Sequence, residues 1–140
     1  MYNQHSHIGV NPGAAGRAGV AVYSKRKPLS VIKSGLPTFD NPASTKGRFI
    51  QFEYEDFYLV AVYSFHSGNS DKADAHEIRK KWDAALRQHL HELDTVKPVI
   101  CVGDQNVAPT NDGEGFVSCC HLVLVLNPFR RQTSSKQPAS

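Results

Sequence analysis

Mixed α/β architecture follows from three features of the 140-residue chain. Residues 48–63 hold two strand-like apolar patterns separated by a polar break, Glu55-Asp56. From about Asp74 to Asp94, apolar residues recur at helical spacing. Val99-Ile-Cys-Val-Gly103 is then a continuous apolar run that ends abruptly in Gly103-Asp104-Gln105-Asn106. The order strand, strand, helix, strand indicates mixed α/β.

Composition narrows the class. Apolar residues make up 40% and charged residues 21%, which suits one small packed domain and argues against wholesale disorder. Sixteen Lys and Arg against thirteen Asp and Glu leave +3, which permits a nucleic-acid partner without demanding one. The longest apolar run, Val117 to Leu126, is broken by Ser118 and His121 and falls short of the ~20 residues that span a bilayer. No charged start followed by an apolar stretch opens the chain, so neither a membrane span nor a secretory signal is expected. Cys101, Cys119 and Cys120 make no disulfide framework and suggest reduced thiols in an intracellular protein.

Each element has its own signal. Residues 1–17 show no helical or strand period and read as a loop or frayed end, assigned to residues 1–15. Gly19-Val-Ala-Val-Tyr-Ser24 reads as a short buried strand, and Leu29 to Ile32 as a weaker one. Pro37, Asp40, Asn41 and Pro42 make residues 35–47 a loop. From Arg48 to Tyr54, Ile50, Phe52 and Tyr54 alternate with Gln51 and Glu53, the pattern of a strand with one wet face. Phe57 to Tyr63 is apolar throughout and reads as the second, deeper strand of a hairpin. Ile78, Trp82, Leu86, Leu90 and Leu93 form the stripe of an amphipathic helix, which Lys97-Pro98 stops. Beyond Pro109 the character changes: residues 111–140 read as a divergent tail, basic and Ser/Gln-rich at its end and partly disordered.

Chemistry concentrates in Gly103-Asp104-Gln105-Asn106-Val107-Ala108-Pro109. A carboxylate and a carboxamide two apart, just past a buried strand, can be aimed into one cleft, because open α/β sheets bind ligands outside the carboxyl ends of their strands. Asp104 can take a proton from water or hold a hard cation, and Asn106 can orient a phosphoryl oxygen or the same cation. The same spacing also suits a turn in which both side chains serve only backbone groups. Tyr63 ends its strand and can donate to a phosphate or cap the core. Lys25-Arg26-Lys27 can contact phosphates or lie in a solvated turn. The seven histidines show no four-ligand zinc spacing: His5 and His7 lie near the amino terminus, and His89 and His91 fall on different helix faces.

Taken in order, Gly16-Arg-Ala-Gly-Val-Ala-Val-Tyr-Ser-Lys25, Lys46-Gly-Arg-Phe-Ile50, Phe57-Tyr-Leu-Val-Ala-Val-Tyr63, Arg79-Lys-Lys-Trp-Asp83 and Lys97-Pro-Val-Ile-Cys-Val-Gly-Asp-Gln-Asn-Val-Ala-Pro109 form a specific pattern. Together they resemble the exonuclease III class of AP endonucleases, within the endonuclease/exonuclease/phosphatase superfamily. The resemblance implies part of a four-layer α/β sandwich, two mixed sheets flanked by helices, with residues 16–110 as the central part of the domain. It implies a DNA repair nuclease that hydrolyses the phosphodiester beside an abasic site with Mg²⁺ or Mn²⁺. By motif position, Tyr63 contacts the phosphate, Asp104 activates water or binds the metal, and Asn106 holds phosphate or metal. Gly16, Arg17 and His66 fall at DNA-contacting positions. The implied partner is double-stranded DNA carrying abasic sites, met by a monomer in the nucleus, or in the cytoplasm of a bacterium.

This sequence also departs from the family pattern. The early Gln-Glu segment, whose Glu is a principal metal ligand, and the closing Gly-Ser-Asp-His block have no counterpart. Ser64-Phe-His-Ser-Gly68 stands where Pro and Asn are usual, so His66 replaces the phosphate-binding amide, and Arg17 stands where an aromatic residue is common. The expectation is a member incomplete at both ends and of low activity on its own. The alternative is a non-catalytic fragment or DNA-binding remnant. A lipid- or nucleotide-directed phosphoesterase fits the Gly-Arg and Gly-Asp-Gln-Asn-Val-Ala-Pro blocks less well.

Overall fold

The structure is a computed structural model that describes residues 5–10, 19–66, 73–106 and 124–126. Strands β1 (His5–Val10) and β2 (Gly19–Ser24) pair antiparallel as a two-stranded sheet. Strands β3 (Ser30–Ile32), β4 (Phe49–Glu53), β5 (Tyr58–Tyr63), β6 (Val99–Asp104) and β7 (Leu124–Leu126) lie side by side in that order in a second sheet. All its neighbours are antiparallel except β5 and β6. A parallel pair needs a long crossover, and helix α1 (Ala73–Asp94) lies on the connection between those two strands.

The alternation of side chains divides the core. Phe49, Val60, Val62, Val99 and Cys101 turn to one face of the larger sheet, where Trp82, Leu86 and Leu90 of α1 cover them. Ile50, Phe52 and Tyr54 turn to the other face and meet Val20 and Val22 of β2. Each fully buried large side chain stabilises the fold by roughly 1.5–3 kcal/mol, and Trp82, Phe49 and Phe52 are the largest of them. The helix ends where Thr95 donates its N–H to His91 O and Glu92 O, with Pro98 just beyond.

Several expectations are corrected. His5–Val10, read as loop, pairs with β2; a strand held by a partner needs no hydrophobic period of its own. β2 is apolar, yet only alternate residues are covered, and Tyr23 is 71% exposed. β4 has no wet face along most of its length, because Gln51 is buried and pairs with His89 of α1 at 2.6 Å. Ile78 belongs to the apolar stripe by spacing but is exposed, since it lies toward the helix start, away from the sheet contact. Leu124–Leu126, part of the predicted divergent tail, adds β7 to the edge of β6. Cys119 and Cys120 lie outside the described residues. Among the described residues no helix is long and apolar enough to cross a membrane.

Candidate nuclease site

Tyr63 and Asp104 are the last residues of β5 and β6, and they are register partners. Counting back by two from each reaches Ala61 and Val102, the set turned away from α1. Both functional side chains therefore stand on the sheet face opposite the helix, at the carboxyl ends of adjacent parallel strands. Gly103 makes this approach possible. Its φ is +118°, and a Cβ there would sit 2.0 Å from the Val62 carbonyl oxygen.

The next residue on each strand turns the other way. Ser64 is fully buried, its hydroxyl accepting from Trp82 Nε1 at 3.0 Å and donating to Gln105 Oε1 at 3.3 Å. The Ser64 N–H donates to the Asp104 carbonyl at 2.8 Å. Gln105 reaches back to Cys101 Sγ at 3.6 Å. Burial pushes the Cys101 thiol up to about 11, so it is a protonated core residue at neutral pH and no nucleophile.

Asn106 adopts a left-handed conformation, φ +49°, which asparagine tolerates better than most residues. Its backbone N–H donates to Asp104 Oδ1 at 2.8 Å, and its Nδ2 donates to the Ser64 carbonyl at 2.7 Å. A carbonyl can only accept, so the amide is aimed unambiguously: nitrogen toward the β5 loop, oxygen away from it. The two side chains thus do serve backbone groups, as a plain turn would. Yet Asp104 Oδ2 and Asn106 Oδ1 take no hydrogen bond from the described residues.

Two arginines complete the site. Arg48, just before β4, lies over the Tyr63 ring at 4.8 Å and the Phe65 ring at 4.2 Å. It donates to the carbonyls of Tyr63 and Ser64 at 3.2 and 3.4 Å. Burial lowers its pKa, and Tyr63 acts in the opposite direction; a guanidinium stays charged regardless. Among the described residues Arg48 has no carboxylate partner. Arg79 of α1 holds Asp83 through Nε at 2.8 Å and donates to three carbonyls, Phe65 at 2.6 Å, Gln105 at 2.9 Å and Asn106 at 3.3 Å.

Of the sequence-predicted site, Tyr63, Asp104 and Asn106 come together, and His66 follows Phe65 as an exposed residue on the same loop. Gly16 and Arg17 lie outside the described residues. Lys25, Arg26 and Lys27 follow the end of β2 at Ser24, which bonds to Tyr54, so they sit at the opposite end of the sheet. Sequence reasoning assigned no site role to Arg48, Ser64, Arg79, Trp82 or Gln105. The Lys46–Ile50 and Arg79–Asp83 blocks contain three of these, without indicating what they touch. Asp104 and Asn106 offer hard oxygen donors of the kind Mg²⁺ accepts beside water and phosphate. They are sparse, since no three His, Cys, Asp or Glu residues gather among the described residues.

The profile of the Endonuclease/Exonuclease/phosphatase family matches residues 1–124, beyond both ends of the resemblance seen over 16–109. Recombination repair protein 1 of Drosophila melanogaster is 42% identical over 94 residues, which is 66% of this chain and 13% of that protein. The DNA-(apurinic or apyrimidinic site) endonuclease of Dictyostelium discoideum is 34% identical over 96 residues, 68% of this chain and 26% of that protein. A solved 3'-5' exonuclease from Neisseria meningitidis superposes with a TM-score of 0.62 at 26% identity, covering 76% of this chain and 40% of the other. The chain thus spans well under half the length of these relatives.

Proposed function

The chain belongs to the Endonuclease/Exonuclease/phosphatase family, and on that footing we propose that it acts as a metal-dependent phosphodiesterase on double-stranded DNA at abasic sites. The observation that carries this reading is the pairing of Tyr63 with Asp104 at adjacent strand ends, with Asn106 tied to Asp104 and to the Ser64 carbonyl. Asp104 Oδ2 accepts a proton from a water as its oxygen attaches to phosphorus, and the bond to the sugar oxygen breaks, that oxygen taking a proton from solvent water as it leaves. The Tyr63 phenol and a remaining Asn106 N–H donate to non-bridging oxygens, and the Arg48 charge behind Tyr63 favours the growing negative charge. Asp104 and Asn106 Oδ1 are the residues that would hold Mg²⁺ or Mn²⁺, which when bound neutralises phosphate charge and lowers the pKa of its water. The remaining features of the reading are a monomer working in repair, in the nucleus or a bacterial cytoplasm, with Gly16, Arg17 and His66 against DNA and a four-layer sandwich as the complete fold.

Turnover by this chain alone is slow in this reading, because one carboxylate among the described residues holds a divalent cation weakly. The same sparseness favours a second reading, a DNA-binding member without turnover. Gel assays on an abasic duplex with Mg²⁺, using wild type and Asp104→Asn, decide between them. Slow incision that vanishes in the variant is the expected result. Incision unchanged in Asp104→Asn refutes the site, and duplex binding with no incision establishes the second reading.

A further inference from the structure

Arg79 stands on α1, one turn before Asp83, and its side chain is 12% exposed. A buried guanidinium needs partners for its fixed fork of donors, and here that fork closes on carbonyls from two different loops. Phe65 lies on the loop leaving β5; Gln105 and Asn106 lie on the loop leaving β6. The Asp83 carboxylate meets Nε with both oxygens, at 2.8 and 2.9 Å, and so sets the direction of the fork. The carbonyl of Asn106 is bonded at the very residue whose backbone is left-handed and whose amide crosses to Ser64.

We propose that Arg79 is a positioning residue: by clamping the Phe65, Gln105 and Asn106 carbonyls it sets the distance between the two strand-end loops and the aim of the Asn106 amide. Its effect on chemistry rests on the function proposed above; its effect on loop geometry does not. Without the clamp, the two loops stay joined through Ser64, whose N–H, hydroxyl and carbonyl bond Asp104, Gln105 and Asn106. Phe65 loses its tie to Gln105 and Asn106, however, and the aim of the Asn106 amide rests on the Ser64 bond alone. Lysine cannot replace arginine here, since one ammonium cannot span three carbonyls on two loops. A misplacement of about 1 Å at such a site costs as much as 10²-fold in rate.

The test is amide hydrogen exchange by NMR on the full chain, comparing wild type with Arg79→Lys. The expected result is at least a tenfold loss of protection at the Asn106 side-chain amide and the Ser64 amide, with α1 and the β4–β5 hairpin unchanged. Unaltered protection at Asn106, or an equal loss throughout α1 and the sheet, overturns the proposal. Asp83→Asn guards against a variant that fails to fold. It keeps Arg79 and weakens only the aim of its fork, so a smaller loss at the same two amides is expected and no loss there overturns the proposal. Abasic-duplex incision on the same samples separates the two readings. A wild type without incision refutes turnover and leaves the exchange data to decide on Arg79. With incision, kcat should fall at least tenfold in Arg79→Lys at nearly constant KM, whereas constant kcat overturns the catalytic consequence.

Discussion

The two ends of the β5–β6 pair handle charge differently. At the end where these strands begin, Lys97 meets Glu53 at 2.6 Å and the Tyr54 carbonyl at 3.0 Å, and Ser30 donates to the other Glu53 oxygen. Cation and anion satisfy each other: the bond from Lys97 holds Glu53 below its usual range, and Glu53 holds Lys97 above its own. At the end where the strands finish, Arg48 is held by carbonyls and rings, and Asp104 by one backbone N–H. Neither has an ion-pair partner among the described residues. Dipoles fix the position of a charge without neutralising it, so the second end keeps its field for a ligand. The first is a structural closure; the second is where the proposed function places the phosphate.

The largest effect that can break this contrast is on Trp82, which packs under the finishing end and donates to Ser64. Trp82→Ala should cost about 3–5 kcal/mol of unfolding free energy, measured in urea. It should also abolish whatever incision the wild type shows. Next is Asp104→Ala, which should lower incision about 10²-fold or more with the melting temperature nearly unchanged. A large fall in melting temperature would instead make Asp104 a structural turn residue.

The pH profile ranks third. Burial holds His89 below the ordinary imidazole value, with Glu92 acting weakly the other way. The unfolded chain then binds this proton near pH ~6.5 and the folded chain only at lower pH. Stability from His89 is therefore complete above that unfolded value and declines as pH falls toward the folded one, by at most about 1.4 kcal/mol per pH unit. His89→Leu should flatten the thermal-stability slope between pH 7 and pH 5; an unaltered slope would assign it to other groups. The smallest effect is that of Lys97→Met at the closed end. Incision should not change, and stability should fall only slightly, because an ion pair that still reaches solvent contributes little. That small loss should persist across neutral pH. It fades in acid as Glu53 protonates through its lowered pKa, and in strong base as Lys97 deprotonates through its raised one. A clear drop in incision for Lys97→Met would show that the two ends are coupled.

Much of this was legible because the signals are local. The hairpin turn at Glu55-Asp56, the bounds of α1 and the placement of Tyr63 and Asp104 at strand ends follow from periodicity and breaks within a few residues. Lys97-Pro98 marks the helix stop by steric restriction alone. Gln51 shows where this reasoning stops. Alternation places it on the face opposite Ile50 and Phe52, correctly, but polar character is read as wet unless a partner is known, and His89 is 38 residues away.

The chain's own order of residues determined the α/β class, the strand–helix–strand order and the placement of Tyr63 and Asp104 at strand ends, since these signals lie within single segments. The tertiary structure decided that these two residues are register partners, that Arg48 lies over Tyr63, and that Arg79 binds carbonyls from both loops. Register is set by which strands meet and how they slide, and a guanidinium chooses its acceptors only when the fold presents them together. Those choices join residues far apart in the chain, and no pattern within a single segment encodes them.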